Sequence, residues 1–174
     1  MRRLKYYVAC SIDGFIARED GSLDDFPTDP EHVADFFEAL RSFDVVLMGR
    51  KTYEVGLRAG VTNPYPAMKQ YVFSRTLKQS PDPNIEIVTE NAAERVKALR
   101  NEPGKDIWLC GGGDLATTLF TADLIDEIIL KVNPLLLGSG IPFFSGDVRT
   151  AQLELSESKI YRCGVAVLHY QAKR

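Results

Sequence analysis

The sequence predicts an α/β domain of three layers, with helices on both faces of a mostly parallel sheet and a C-terminal antiparallel hairpin. Three observations predict it. Short apolar, partly β-branched runs alternate with helix-patterned segments over the first three quarters of the 174 residues. The last quarter carries two alternating runs and no helical pattern. Glycine-rich or polar turns stand at the ends of several apolar runs. Strands separated by helices need crossover connections, which make them parallel and cover the sheet on both sides.

Taken in order, residues 4–10 are apolar and fit a central first strand. A polar turn segment follows over 11–29, and Asp29 then caps a helix opened by Pro30. Val33, Phe36, Phe37 and Leu40 recur at helical spacing, which carries that helix to about Arg41. Residues 44–48 form the second strand. Gly49-Arg50-Lys51-Thr52 turns into a short helix containing Tyr53, and 56–68 read as an irregular loop. Strands at 70–73 and 85–88 flank the turn Pro81-Asp82-Pro83-Asn84. A helix over 91–100 places Ala92, Val96 and Leu99 on one face, and Pro103-Gly104 separates it from a buried strand at 106–110. Gly111-Gly112-Gly113 leads into a helix over 114–122, with Asp114 as its expected cap. A strand at 125–132, a long loop at 133–147 and a hairpin of 152–158 with 162–170 complete the chain. No repeat or linker interrupts it, so a single domain over 1–174 is expected.

Composition narrows the function classes. With 45% apolar and 26% charged residues the chain is of ordinary globular type. Its 21 basic and 24 acidic residues argue against nucleic acid as the main partner, because backbone binders carry a basic excess. The apolar run near the N-terminus is too short for a secretory signal, and no run approaches the ~18–20 residues of a membrane helix. Cys10, Cys110 and Cys163 lie in apolar, strand-like runs without metal spacing, which suggests buried thiols and a reducing, cytoplasmic compartment. His32 and His169 belong to no metal motif, so no metal is expected.

Three strand-end segments carry the candidate chemistry. At Gly49-Arg50-Lys51-Thr52, free backbone N–H groups, two cations and a hydroxyl converge at a helix start, which suits a phosphate. The plain alternative is a glycine turn followed by solvated basic residues. Gly111, Gly112 and Gly113 can let a pyrophosphate lie against main-chain amides, or can simply form a tight crossover turn. At Ser74-Arg75-Thr76 a hydroxyl and a guanidinium could grip a ribose phosphate, though alone this reads as a solvated turn. In an open α/β sheet all three would face one crevice at the carboxyl ends of the strands. After the first strand, Asp13 is either a polar group near reacting atoms or a turn residue.

The ordered set Val8-Ala9-Cys10-Ser11-Ile12-Asp13-Gly14-Phe15-Ile16-Ala17, Val46 to Glu54, Ile107 to Gly113 and Asn133 to Gly140 resembles the dihydrofolate reductase superfamily. Within it, the chain is most similar to the C-terminal reductase domain of the bifunctional riboflavin-biosynthesis deaminase-reductase. The resemblance covers nearly the whole chain and implies a dihydrofolate-reductase-like fold with NADPH as cofactor. It implies that Gly49, Arg50, Lys51 and Thr52 hold cofactor phosphates and that Ser74 and Arg75 face the adenosine 2′-phosphate. Gly111, Gly112 and Gly113 would pass the pyrophosphate and nicotinamide end, with Ala9 and Ile16 flanking the nicotinamide. Homodimers are common in the family.

The same resemblance frames the substrate. Dihydrofolate reductases present a carboxylate from the first helix, and here His32 or Val33 falls near that point, with Glu31 and Asp35 beside it. Asp13 is the expected catalytic residue, as a proton source or polar clamp, with Asp35 and Glu31 as alternatives. The 174 residues hold no counterpart of the deaminase half of the bifunctional enzyme, so a stand-alone reductase domain is expected. The expected activity is reduction of a small heterocycle such as 5-amino-6-(5-phosphoribosylamino)uracil, in riboflavin biosynthesis. A dihydrofolate reductase-type enzyme and a nucleotide-binding or regulatory module without catalysis are the alternatives.

Overall fold

Period-two patterning divides the sheet residues between two cores. In the computed structural model, which describes residues 1–173, the strands are β1 (Leu4–Ser11), β2 (Phe15–Ala17), β3 (Phe43–Gly49), β4 (Lys69–Phe73) and β5 (Ile85–Val88). They continue as β6 (Asp106–Gly111), β7 (Glu127–Asn133), β8 (Ile141–Pro142), β9 (Leu153–Ile160) and β10 (Ala166–Ala172). Leu4, Tyr6, Val8, Val45, Leu47, Ile107 and Leu109 pack on one face; Tyr7, Val46, Met48 and Trp108 pack on the other. Successive strand side chains point to opposite faces, so a strand buried on both sides reads as continuously apolar.

Each core is closed by a pair of helices. The helices α3 (Ala92–Asn101) and α4 (Gly113–Thr121) cover the first face through Val96, Leu99, Leu115, Ala116, Leu119 and Phe120. On the second face lie α1 (Pro30–Leu40) and α2 (Arg50–Arg58), through Phe36, Leu40, Tyr53 and Leu57. The result is a three-layer α/β/α arrangement. Eight strands run in the order β5-β4-β3-β6-β1-β7-β10-β9, and β2 and β8 form a separate small sheet. From β5 to β7 every pairing is parallel, while β7–β10 and β10–β9 are antiparallel. The mostly parallel sheet and its closing hairpin match the prediction.

Several local expectations change. Helix α2 runs through Gly56 to Arg58 instead of breaking at the glycine. Strands β2 and β8 were hidden in segments read as loops; they are three and two residues long. Asp114 is not the cap of α4: Gly112 holds that position, and Asp114 sits in the first turn. Cys163 lies in the turn between β9 and β10, half-buried, and not in a strand. Among the described residues no helix is long and apolar enough to cross a membrane.

Candidate active site

Where parallel strands end, helix N-termini begin, and each leaves main-chain N–H groups without intrahelical partners. The four large helices divide sharply in how they meet this need. In α1, the Asp29 carboxylate accepts a hydrogen bond from the Glu31 amide at 3.1 Å. The starts of α2, α3 and α4, at Gly49, Asn91 and Gly112, have no side-chain cap at all. All three open into one crevice of about 1280 Å³, lined by Gly49–Thr52, Thr89–Ala92 and Gly112–Leu115 among others. The volume exceeds the ~300–1,000 Å³ of ordinary single-ligand pockets.

Glycine brings two of these turns together. A Cβ on Gly49 would stand 3.3 Å from the Gly112 amide nitrogen, and one on Gly112 would stand 3.4 Å from Thr52 Oγ1. The β3–α2 and β6–α4 turns therefore lie main chain against main chain. A Cβ on Gly113 would meet both Pro142 O and Ser145 Oγ at 2.5 Å, so the loop after β8 is packed directly on this turn. Gly111 and Gly112 are joined by a cis peptide bond.

Cations gather at the same end. Arg50 donates to Thr76 Oγ1 at 3.2 Å and lies 3.7 Å from Glu54. Among the described residues, the Lys51 and Arg75 side chains make no hydrogen bond or ion pair, and both are exposed at the crevice. Ser74 is buried, and its hydroxyl oxygen accepts from the Thr76 and Leu77 amides at 3.2 and 2.8 Å. That bonding shapes the turn and turns Arg75 outward. Three uncapped helix starts with unpaired cations beside them fit the phosphates of a dinucleotide.

The opposite end is walled by rings. Tyr7, Phe36, Tyr65 and Trp108 line it, with Phe36 edge-on to Tyr7 at 5.3 Å and to Trp108 at 5.8 Å. Tyr65 stands edge-on to Trp108 at 4.8 Å. The Trp108 indole N–H donates to the Tyr7 carbonyl at 2.9 Å, which fixes the ring in place. Burial, and then the Asp35 charge, pushes the Tyr7 hydroxyl up to about 12, so it stays protonated. Burial also pushes the Cys110 thiol up to about 11, which makes it a poor nucleophile. Ala9, Ile16 and Lys131 line the crevice as well.

Of the predicted residues, Ala9, Ile16, Gly49–Thr52, Ser74, Arg75, Gly112 and Gly113 all line this space, whereas Gly111 does not. Asp13 departs most from expectation. Its carboxylate is exposed and accepts from the Leu137 and Gly138 amides at 3.1 and 2.7 Å, outside the crevice lining. The Ser11 side chain, then these two amides, hold it below the usual carboxylate range. Asp13 thus anchors the loop leading to Gly140, Ile141 and Pro142, which do line the crevice. The alternatives on α1 also turn away: Asp35 is held by Lys159 and Tyr161, and Glu31 is exposed. His32 is buried edge-on to Tyr161 at 5.8 Å, with neither ring nitrogen partnered. Burial, reinforced by the Lys131 charge, lowers its pKa and favours the neutral ring. Tyr7, Phe36, Tyr65 and Lys131 escaped the sequence reading, because only strand register and the 59–68 loop bring them together.

The RibD C-terminal domain description matches residues 2–168. Uncharacterized protein YwjB of Bacillus subtilis (strain 168) is 36% identical over 174 residues, covering 97% of each chain. A crystal structure from Shewanella sp. PV-4, of a protein named for riboflavin biosynthesis, is 26% identical, with a TM-score of 0.84 over 100% of both chains. Dihydrofolate reductase from Enterococcus faecalis, complexed with NADP(H), shares the fold at 16% identity, with a TM-score of 0.74 over 99% of this chain and 97% of that one. By its sequence over 2–168 and by its fold, the chain belongs to the RibD C-terminal domain family.

Proposed function

We propose that this protein is an NADPH-dependent reductase of a small heterocyclic substrate. The observation that carries the reading is the convergence of three uncapped helix N-termini on one crevice, while α1, which starts elsewhere, is capped by Asp29. The amides at Gly49–Thr52 and Gly112–Gly113, together with Arg50 and Lys51, would hold the cofactor phosphates. Arg75, turned outward by the Ser74 turn, would take the adenosine 2′-phosphate and set the preference for NADPH. Ala9 and Ile16 would flank the nicotinamide, and Gly111 would shape the turn beside it. Bound NADPH supplies the hydride. The ring-lined end would orient the substrate, and the protonated Tyr7 hydroxyl would hold or donate a proton there. Asp13 acts as a positioning residue, through the loop it anchors.

A 5-amino-6-(5-phosphoribosylamino)uracil-like pyrimidine suits such a site. A second reading, a module that binds the dinucleotide without turnover, is favoured by one observation: no carboxylate from β1 or α1 lines the crevice. Titrations followed by Trp108, the only tryptophan, test the first reading. Saturable quenching by NADPH, with NADH weaker, is the expected result, and absence of binding by either removes both readings. Oxidation of NADPH with a pyrimidine or pterin substrate then separates enzyme from binding module.

A further inference from the structure

One cationic side chain in the ring-lined end forms no hydrogen bond or ion pair among the described residues and is assigned no part in cofactor binding. Lys131 pairs with Ala9 on β1 and with Val167 on β10, so these three side chains share a sheet face. It is the face of Tyr7 and Trp108, at the carboxyl ends of β1 and β7. Lys131 lines the crevice and is half-buried, and its side chain makes no hydrogen bond or ion pair among the described residues. Burial lowers its pKa, and the neighbouring Cys163 opposes that shift. The Tyr7 hydroxyl on the same face is likewise without a hydrogen-bond partner among the described residues.

We infer that Lys131 is a specificity-determining residue: this end of the crevice takes a flat ring that presents an acceptor oxygen, preferably anionic, to the Lys131 ammonium and the Tyr7 hydroxyl. The inference rests on the reductase reading for its meaning, although the recognition itself is separate from cofactor binding. An ammonium has three donors and no acceptor, so its partner must be an acceptor, and an anionic oxygen such as a carboxylate or ionised ring oxygen gives the strongest bond. Once protonated, a ring that presents an amidine edge offers only donors there and adds like-charge repulsion. Recognition of such an edge needs a carboxylate in the same wall. The wall formed by Tyr7, Phe36, Tyr65, Trp108 and Lys131 has none, and the lining carboxylates are Glu19 and Asp20, Glu54 of α2, Glu90 ahead of α3 and Asp114 of α4. Asp35, the nearest acid on α1, is already engaged by Lys159 and Tyr161. The rings supply stacking surface, Trp108 has spent its donor on Tyr7 O, and only the two unpaired groups remain to read the edge of the ligand.

Calorimetric titration of the full chain, with and without saturating NADP⁺, compares orotate, a flat pyrimidine carboxylate, with 2,4-diaminopyrimidine, a flat amidine-bearing ring. Orotate binds the wild-type protein and the diamine does not at the same concentrations. Lys131→Gln weakens orotate by about tenfold or more, the size of a lost charge-assisted hydrogen bond. Lys131→Arg retains orotate within about threefold, because the donors and the charge remain. Melting temperature and NADP⁺ affinity stay unchanged in both variants, which separates recognition from folding. Equal orotate binding by wild type and Lys131→Gln overturns the inference, as does preference for the diamine or absence of orotate binding. A protein that binds orotate through Lys131 but takes no NADP⁺ keeps the inference and removes the cofactor reading.

Discussion

At its glycine-rich end the crevice is walled by main chain, with the starts of α2, α3 and α4 uncapped and two turns touching through Gly49 and Gly112. At its ring-lined end it is walled by side chains: Tyr7, Phe36, Tyr65, Trp108 and Lys131. The difference separates two kinds of recognition. Amides offer one fixed pattern of donors, so the first end suits a constant ligand and leaves little room for change. Side chains can be replaced without moving the backbone, so the second end is where related chains can diverge in substrate while keeping one cofactor.

The largest expected effect breaks the ring-lined wall. Trp108→Ala removes a side chain that is 2% exposed and leaves the Tyr7 carbonyl without its donor, so it should cost about 3–5 kcal/mol in urea denaturation. Next, Gly113→Ala forces a methyl group against Pro142 O and Ser145 Oγ, at an expected cost of about 1–3 kcal/mol. Its NADPH titration should also weaken, because the turn carrying the amides moves; an unchanged affinity would show that the main-chain end is less rigid than described. Arg75→Ala should leave stability within about 0.5 kcal/mol, as for an exposed surface site. It should reduce NADPH affinity about tenfold and leave NADH unaffected, the signature of one lost phosphate contact.

The smallest effect at neutral pH lies away from both ends. Glu127 pairs in register with Lys5 at the start of β1 and β7, whereas Lys131 pairs with Ala9 further along the same strands. Burial by itself would raise the Glu127 pKa, but the His169 hydrogen bond with Lys5 and Arg3 lowers it below its ordinary 4.5. A depressed folded-state value stabilises the fold above the unfolded value, and the gain is lost as pH falls through the folded one. Glu127→Gln should therefore be modestly less stable than wild type at pH 7, with the gap closing below about pH 4.5. Neither orotate nor NADPH binding should change, which makes it the control for the two ends.

The parallel strands were legible because they are short and largely apolar, and the closing hairpin because its two runs alternate and carry no helical pattern. The 49–52, 74–75 and 112–113 segments were legible for a related reason: glycine and arginine at strand ends stand out against apolar runs. What sequence concealed depends on register. Lys131 sits in a strand reading Glu127-Ile128-Ile129-Leu130-Lys131-Val132-Asn133, where a lysine looks like one solvent-facing residue. Only its pairing with Ala9 turns it toward the crevice. Asp13 misled for the opposite reason. Its neighbours in sequence suggested a reacting centre, whereas its hydrogen-bond partners, the Leu137 and Gly138 amides, lie more than a hundred residues away along the chain. Strands β2 and β8 are too short to show a period of two.

The position of β1 between β6 and β7 has a consequence for how the chain is made. Its partners begin at Ile107 and Glu127, so β1, once made, waits until β6 and β7 have been synthesised before either edge is hydrogen-bonded. At ~5–20 residues per second that interval is roughly 5–25 s. During it Leu4–Ser11 is an apolar strand with both edges open, interrupted by a single charge at Lys5, and is exposed to mispairing. The crevice depends on the same strand, since Tyr7 and Ala9 stand on β1 and Lys131 on β7. Its ring-lined wall is therefore completed only once β7 is made, and the yield of folded protein should track the fate of this one waiting strand.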